Sequence, residues 1–78
     1  MISFELKGQE KSTLDEVDVY LDEVGLNSLI AQLEMIRSGK TDHIHLMAKS
    51  WGGNHLDDEV RVASNMPVRH VKMMLVRS

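Results

Sequence analysis

The chain has 78 residues, no Cys, and a net charge of −3 from 9 Lys and Arg against 12 Asp and Glu. That length accommodates a single domain, residues 1–78, with a small core. The lack of Cys excludes disulfides, thiolate zinc sites and Cys nucleophiles, and an acidic balance argues against nucleic acid as a direct ligand, since phosphate binding needs clustered cations.

Hydrophobic residues make up 42% of the chain but aromatics only 4%, so Leu, Val, Ile and six Met must build the core. Met fills irregular space but specifies packing weakly. Such a core either suffices for a monomer or is completed by a homodimer or another partner. No apolar run approaches the ~20 residues of a membrane span. The segment Met1 to Lys7 lacks the basic flank and apolar stretch of a signal peptide. The expectation is a cytoplasmic protein with no membrane partner.

Ile2, Phe4 and Leu6 alternate with Ser3, Glu5 and Lys7, the period of a strand with one buried face. Gly8 to Thr13 is polar and reads as a loop. Val17, Val19 and Leu21 alternate with Asp18 and Tyr20, giving a second strand joined to the first as a hairpin. The period then changes. Leu26, Leu29, Ile30, Leu33 and Ile36 recur at helical spacing and predict a core-facing stripe on a helix from Glu23 to Ser38. Asp22 is a suitable N-cap, Gly25 an early weak point, and Gly39 a suitable residue just past the C-terminus.

The next stretch, Asp42 to Asn54, is the densest in the chain. Ile44 and Leu46 point to one side of a strand, and His43, His45 and Met47 to the other. Trp51-Gly52-Gly53-Asn54 cannot continue that strand and forms a loop. Val60 to Val62 reads as a short edge strand, Ser64 to Pro67 as a turn, and Val68 to Val76 as a last strand with His70 and Lys72 on its polar side. The order β-β-α-β-(β)-β specifies an α+β domain: a mainly antiparallel sheet of three to five strands with one helix packed on one face.

This pattern places His43, His45, His70 and Lys72 on the sheet face away from the helix, with Ser3, Glu5, Asp18 and Tyr20 beside them. Such a face can simply meet water, or it can bind a partner. His43, His45 and His70 could also converge on a metal ion, since His at alternate strand positions share a side. Trp51 either caps the open end of the core or anchors a contact. The Gly pair could turn its amides outward around an anion. Ser50 lies near His45, His55, Asp57 and Asp58 in sequence, but no catalytic motif surrounds it.

The combination of Val19-Tyr20-Leu21-Asp22, Leu29-Ile30-Ala31-Gln32-Leu33, the block from Ser38 to Met47, Ser50-Trp51-Gly52-Gly53-Asn54 and a closing His70-Val71-Lys72 resembles a family of small bacterial immunity proteins. It is the thirty-second numbered family of polymorphic-toxin immunity proteins. The resemblance implies a non-enzymatic protein without cofactors that binds and neutralises a cognate toxin. The surface expected to do so comprises His43, His45, Trp51, Gly52, Gly53, Asn54, His70 and Lys72. The alternatives are a metal- or small-ligand-binding domain built on the three His, and a homodimer formed through a sheet edge or face.

Overall fold

A computed structural model of the protein describes residues 1–7 and 16–77. The expected loop from Gly8 to Thr13 lies outside them. Strand β1 (Ile2–Leu6) pairs antiparallel with β2 (Val17–Leu21), placing Phe4 opposite Val19 and Glu5 opposite Asp18. Helix α1 follows over Glu23–Arg37, one residue shorter than expected, with Ser38 as its C-cap. β3 (His43–Met47) pairs antiparallel with β5 (His70–Met74), and the two-residue β4 (Met66–Pro67) pairs with the end of β1.

The α+β class and the single helix are as the sequence indicates. The strands, however, divide into a three-stranded sheet of order β2-β1-β4 and a two-stranded sheet of β3 and β5. Ile2, Ile36, Ile44, Leu46, Ala48 and Leu56 are buried between them, with Phe4, Leu21, Leu29, Val71 and Met73 packed against this cluster. The alternation in β3 and β5 thus sends Ile44, Leu46, Val71 and Met73 inward, because burial of these side chains is the largest favourable contribution available to so small a chain.

Two expectations about faces need correction. The helical stripe is only partly core: Leu29 and Ile36 pack inward, while Leu26, Ile30 and Leu33 remain exposed. Ser3 and Glu5 are not on an open face either, since both are fully buried. Residues 57–65 cover them, and the expected strand at Val60 to Val62 is absent there. The reason is a competing acceptor. The Glu5 carboxylate takes a hydrogen bond of 2.8 Å from the Arg61 amide and one of 2.9 Å from Asn65 Nδ2, while the Ser3 hydroxyl donates to it at 2.7 Å. The Asn65 amide closes a turn onto the Val62 carbonyl at 2.9 Å. Burial pushes the Glu5 carboxyl up, but hydrogen bonds from Ser3, the Arg61 amide, Asn65 and the Val62 amide outweigh it and hold the group below the usual glutamate value.

The helix start is fixed by Asp22, whose carboxylate accepts from the Gly25 amide at 2.7 Å and meets the Met1 amino group. Gly25 is more than a tolerated weak point. A Cβ there would lie 1.8 Å from the Met1 carbonyl oxygen, so only Gly lets the first turn touch the start of β1. Gly25→Ala is expected to lower stability by about 3 kcal/mol, toward the upper end of overpacking costs. An unchanged urea midpoint would show that Met1 does not approach the helix this closely.

Glu5→Ala strips the Arg61 amide and Asn65 of their acceptor and is expected to cost about 2–3 kcal/mol. Because the folded carboxyl titrates below its unfolded value, its contribution is present above about pH 4.3 and is lost as pH falls through the lowered folded value. Urea unfolding across acid pH should therefore show a stability loss in the parent chain that is smaller in the Glu5→Ala variant.

Candidate partner-binding site

The outward faces of β3 and β5 bring the sequence-predicted residues together. Cross-strand pairing sets His45 opposite Lys72, Met47 opposite His70, and His43 opposite Met74. His45 Nδ1 lies 2.9 Å from His70 Nε2, and the two rings stack with centroids 5.1 Å apart. His43 meets His45 edge-on, also at 5.1 Å, and its Nδ1 lies 2.7 Å from the Asp42 carboxylate. That hydrogen bond holds the Asp42 carboxyl below its usual value.

Trp51 extends the same surface. It is 57% exposed, so it does not cap the core, and its ring centroid lies 6.3 Å from that of His70. The backbone explains its placement. After β3, the buried Ala48 opens a 3-10 turn over Lys49–Trp51, and the Ala48 carbonyl accepts from the Trp51 and Gly53 amides, both at 2.9 Å. Gly52 adopts φ 84°, which favours Gly. Gly53 packs on β3, where a Cβ would lie 2.3 Å from the Met47 carbonyl oxygen. The Gly52 and Gly53 amides donate to the Lys49 and Ala48 carbonyls. They are therefore turned into the loop, not outward around an anion.

A second tie holds the loop from outside. The Ser50 amide donates to Asp58 at 3.2 Å, the Ser50 hydroxyl also donates to Asp58, and Arg69 Nε reaches the same carboxylate at 3.3 Å. The Ser50 hydrogen bonds and Arg69 hold the Asp58 carboxyl below its usual value. The Ser50 hydroxyl is thus directed at a carboxylate rather than at an imidazole that could activate it.

Of the predicted residues, His43, His45, His70, Lys72 and Trp51 form one continuous surface, with Gly52 and Gly53 shaping its rim. Asn54 lies elsewhere, along a cleft of about 310 Å³ that also borders Met1, Val24, Lys49, His55 and Asp57. The expected partner-binding set left out Met47 and Met74, although the alternation places them on the same side as His43, His45, His70 and Lys72. Asp18 and Tyr20 belong to the other sheet, where Lys7 lies 3.7 Å from Asp18.

Chemically, the face is aromatic and polarizable, with Lys72 as its permanent cation and the Asp42 carboxylate beside His43 at its edge. Partial desolvation, together with the neighbouring His43, His70 and Lys72, pushes the His45 imidazole below its ordinary value. Among the described residues, no group of three or more His, Asp or Glu side chains has the arrangement to hold a metal ion. The surface is suited to stacking and to carboxylate acceptors. No protein-family model, curated protein or solved structure matches this chain.

The lowered His45 value makes neutral His45 the favoured folded form. Its contribution is present above about pH 6.5 and declines as pH falls from there through the lowered folded value. An NMR titration should give His45 a midpoint below that of an unfolded-peptide His. His70→Ala should raise that midpoint, because it removes both a covering ring and a neighbouring cation. An unmoved midpoint would contradict the stacked arrangement.

Proposed function

We propose that the protein is a non-enzymatic binding protein of bacterial origin that acts in the cytoplasm, where it neutralises a cognate toxin domain by direct contact through the His–Trp face. The observation that carries this reading is the exposed Trp51 ring beside the His70–His45 stack and Lys72, on a sheet whose other side is committed to the core. Large aromatic side chains exposed on a braced loop are typical anchors of protein interfaces. The resemblance of the block from Gly39 to Asn54 to the immunity family supports a toxin as the partner. The Lys72 ammonium favours a toxin surface that presents carboxylates. Among the described residues, no helix is long and apolar enough to cross a membrane.

The test is a search of the neighbouring genes for a toxin-like domain, followed by a binding measurement with that domain. Trp51→Ala should leave the circular dichroism spectrum unchanged and weaken binding by about 2 kcal/mol, the scale of an interface hot spot. Undiminished affinity would remove the Trp51 loop from the interface. A neighbourhood without any toxin-like reading frame would count against the toxin itself.

A further inference from the structure

The geometry points to a second interaction surface, independent of the His–Trp face: the outer edge of β2 pairs with β2 of a second copy of this chain. The first observation is main-chain polarity. The Asp22 amide donates to the Met1 carbonyl at 3.2 Å, in register with the β1–β2 ladder. Hydrogen bonding alternates along an antiparallel pair, so Asp18 and Tyr20 also direct their main-chain groups at β1. Val17, Val19 and Leu21 direct theirs away from it. Among the described residues, β2 has no strand on that side. Nor does β2 carry any of the usual protections of a free edge: it has no Lys, no Pro and only one charged residue, Asp18.

The second observation is an apolar flank continuous with this edge. Val17 is 52% exposed and Val19 45%, while Leu26, Ile30 and Leu33 are 44%, 50% and 44% exposed. The helix orientation places these groups on the same side of the molecule. Val24 and Ser28 line the cleft with Leu56 and Asp57, and the Asp57 amide donates to the Ile2 carbonyl at 2.8 Å on the edge of β1 away from β2. At 3.6 residues per turn, Leu26, Ile30 and Leu33 occupy the opposite flank of α1, toward β2.

The third observation decides the occupant. A two-fold axis through Val19 sets Val19 against Val19 of the second copy and Val17 against Leu21, so the apolar face is continued across the junction. It sets Asp18 against Tyr20 rather than against the second Asp18. At the ends, Glu16 faces Asp22, but each already has a cation: Lys7 lies 3.4 Å from Glu16, and the Met1 amino group meets Asp22. The strand is self-complementary in apolar pattern and sets no two Asp18 carboxylates together, as an isologous interface requires. The exposed Leu26, Ile30 and Leu33 of the two helices then flank the joined sheet, and β3 and β5 stay free to bind the partner proposed above.

The test uses the full chain in a sedimentation-equilibrium concentration series. The expected result is a dimer mass that falls toward the monomer on dilution; a monomer mass at every concentration overturns the proposal. Val19→Lys places two ammonium groups together at the axis and should weaken the dimer by about tenfold or more with an unchanged circular dichroism spectrum. If that variant loses its fold, Ile30→Lys on the exposed flank gives the same reading. Because the chain has no Cys, single-thiol variants report position cleanly. Val19→Cys should form an intermolecular disulfide under mild oxidation, since paired strands bring the two Cα atoms within disulfide range. Val62→Cys and His45→Cys should not. Preferential cross-linking at either of those positions assigns the dimer to another face and overturns the proposal. Toxin binding by Val19→Lys is a separate readout of the His–Trp face.

Discussion

The Glu5 carboxylate is the interaction on which the rest of the structure depends. A buried carboxylate is costly unless its oxygens are saturated with donors. Here the donors come from Ser3 on the same strand and from Arg61 and Asn65, which lie 56 and 60 residues further along the chain. The carboxylate therefore acts as a long-range tether. It fixes the segment after Leu56 across the outer side of β1, and Met66–Pro67 then pairs with Leu6 and Glu5. From there the chain enters β5 in register with β3. The Asp57 amide bonds to the Ile2 carbonyl at the start of this segment. From Arg61 to Asn65, however, the amides bond to the Glu5 side chain and to a local turn, so the tether stands in for a strand ladder there.

Once β1 is covered on its outer side, the small core can be shared between two sheets. β1 contributes Ile2 and Phe4, β3 contributes Ile44 and Leu46, and α1 contributes Leu29 and Ile36. β1 alone is covered on both faces and paired along both edges. The helix reaches the core with one narrow face, and the two-stranded sheet reaches it with one side only. This economy leaves two kinds of surface uncovered. One is polar and aromatic, on β3, β5 and the Trp51 turn. The other is aliphatic, along β2 and the flank of α1. They lie on different sheets, so different molecules can occupy them without competition.

Much of this was legible in the sequence wherever a local period governs structure. The strands at Ile2, Val17 and His43, the helix with its Asp22 cap, and the shared side of His43, His45, His70 and Lys72 all follow from alternation or helical spacing. So does the last strand, which is expected over Val68 to Val76 and found over the shorter His70–Met74. What was not legible depends on contacts distant in sequence. Alternation places Glu5 on a solvated face, and nothing near Glu5 signals that Arg61 and Asn65 will reach it. The spacing of Leu26, Ile30 and Leu33 marks an apolar stripe, but not whether the fold possesses enough sheet to cover it. Trp51 posed a choice that only placement could decide. Ala48 and Gly53 turn the chain so that the ring leaves the core and approaches His70.

The alternation within β3 has an evolutionary consequence. Ile44 and Leu46 are part of the core cluster, while His43, His45 and Met47 lie outside it. In the proposed role, folding and recognition therefore constrain alternate residues of one five-residue strand. Substitutions at the outward positions can retarget the surface with little penalty to the scaffold, whereas inward positions must conserve volume and polarity. A lineage under pressure to follow a changing partner would accumulate divergence with a period of two along this strand, and a homologous set should carry that signature.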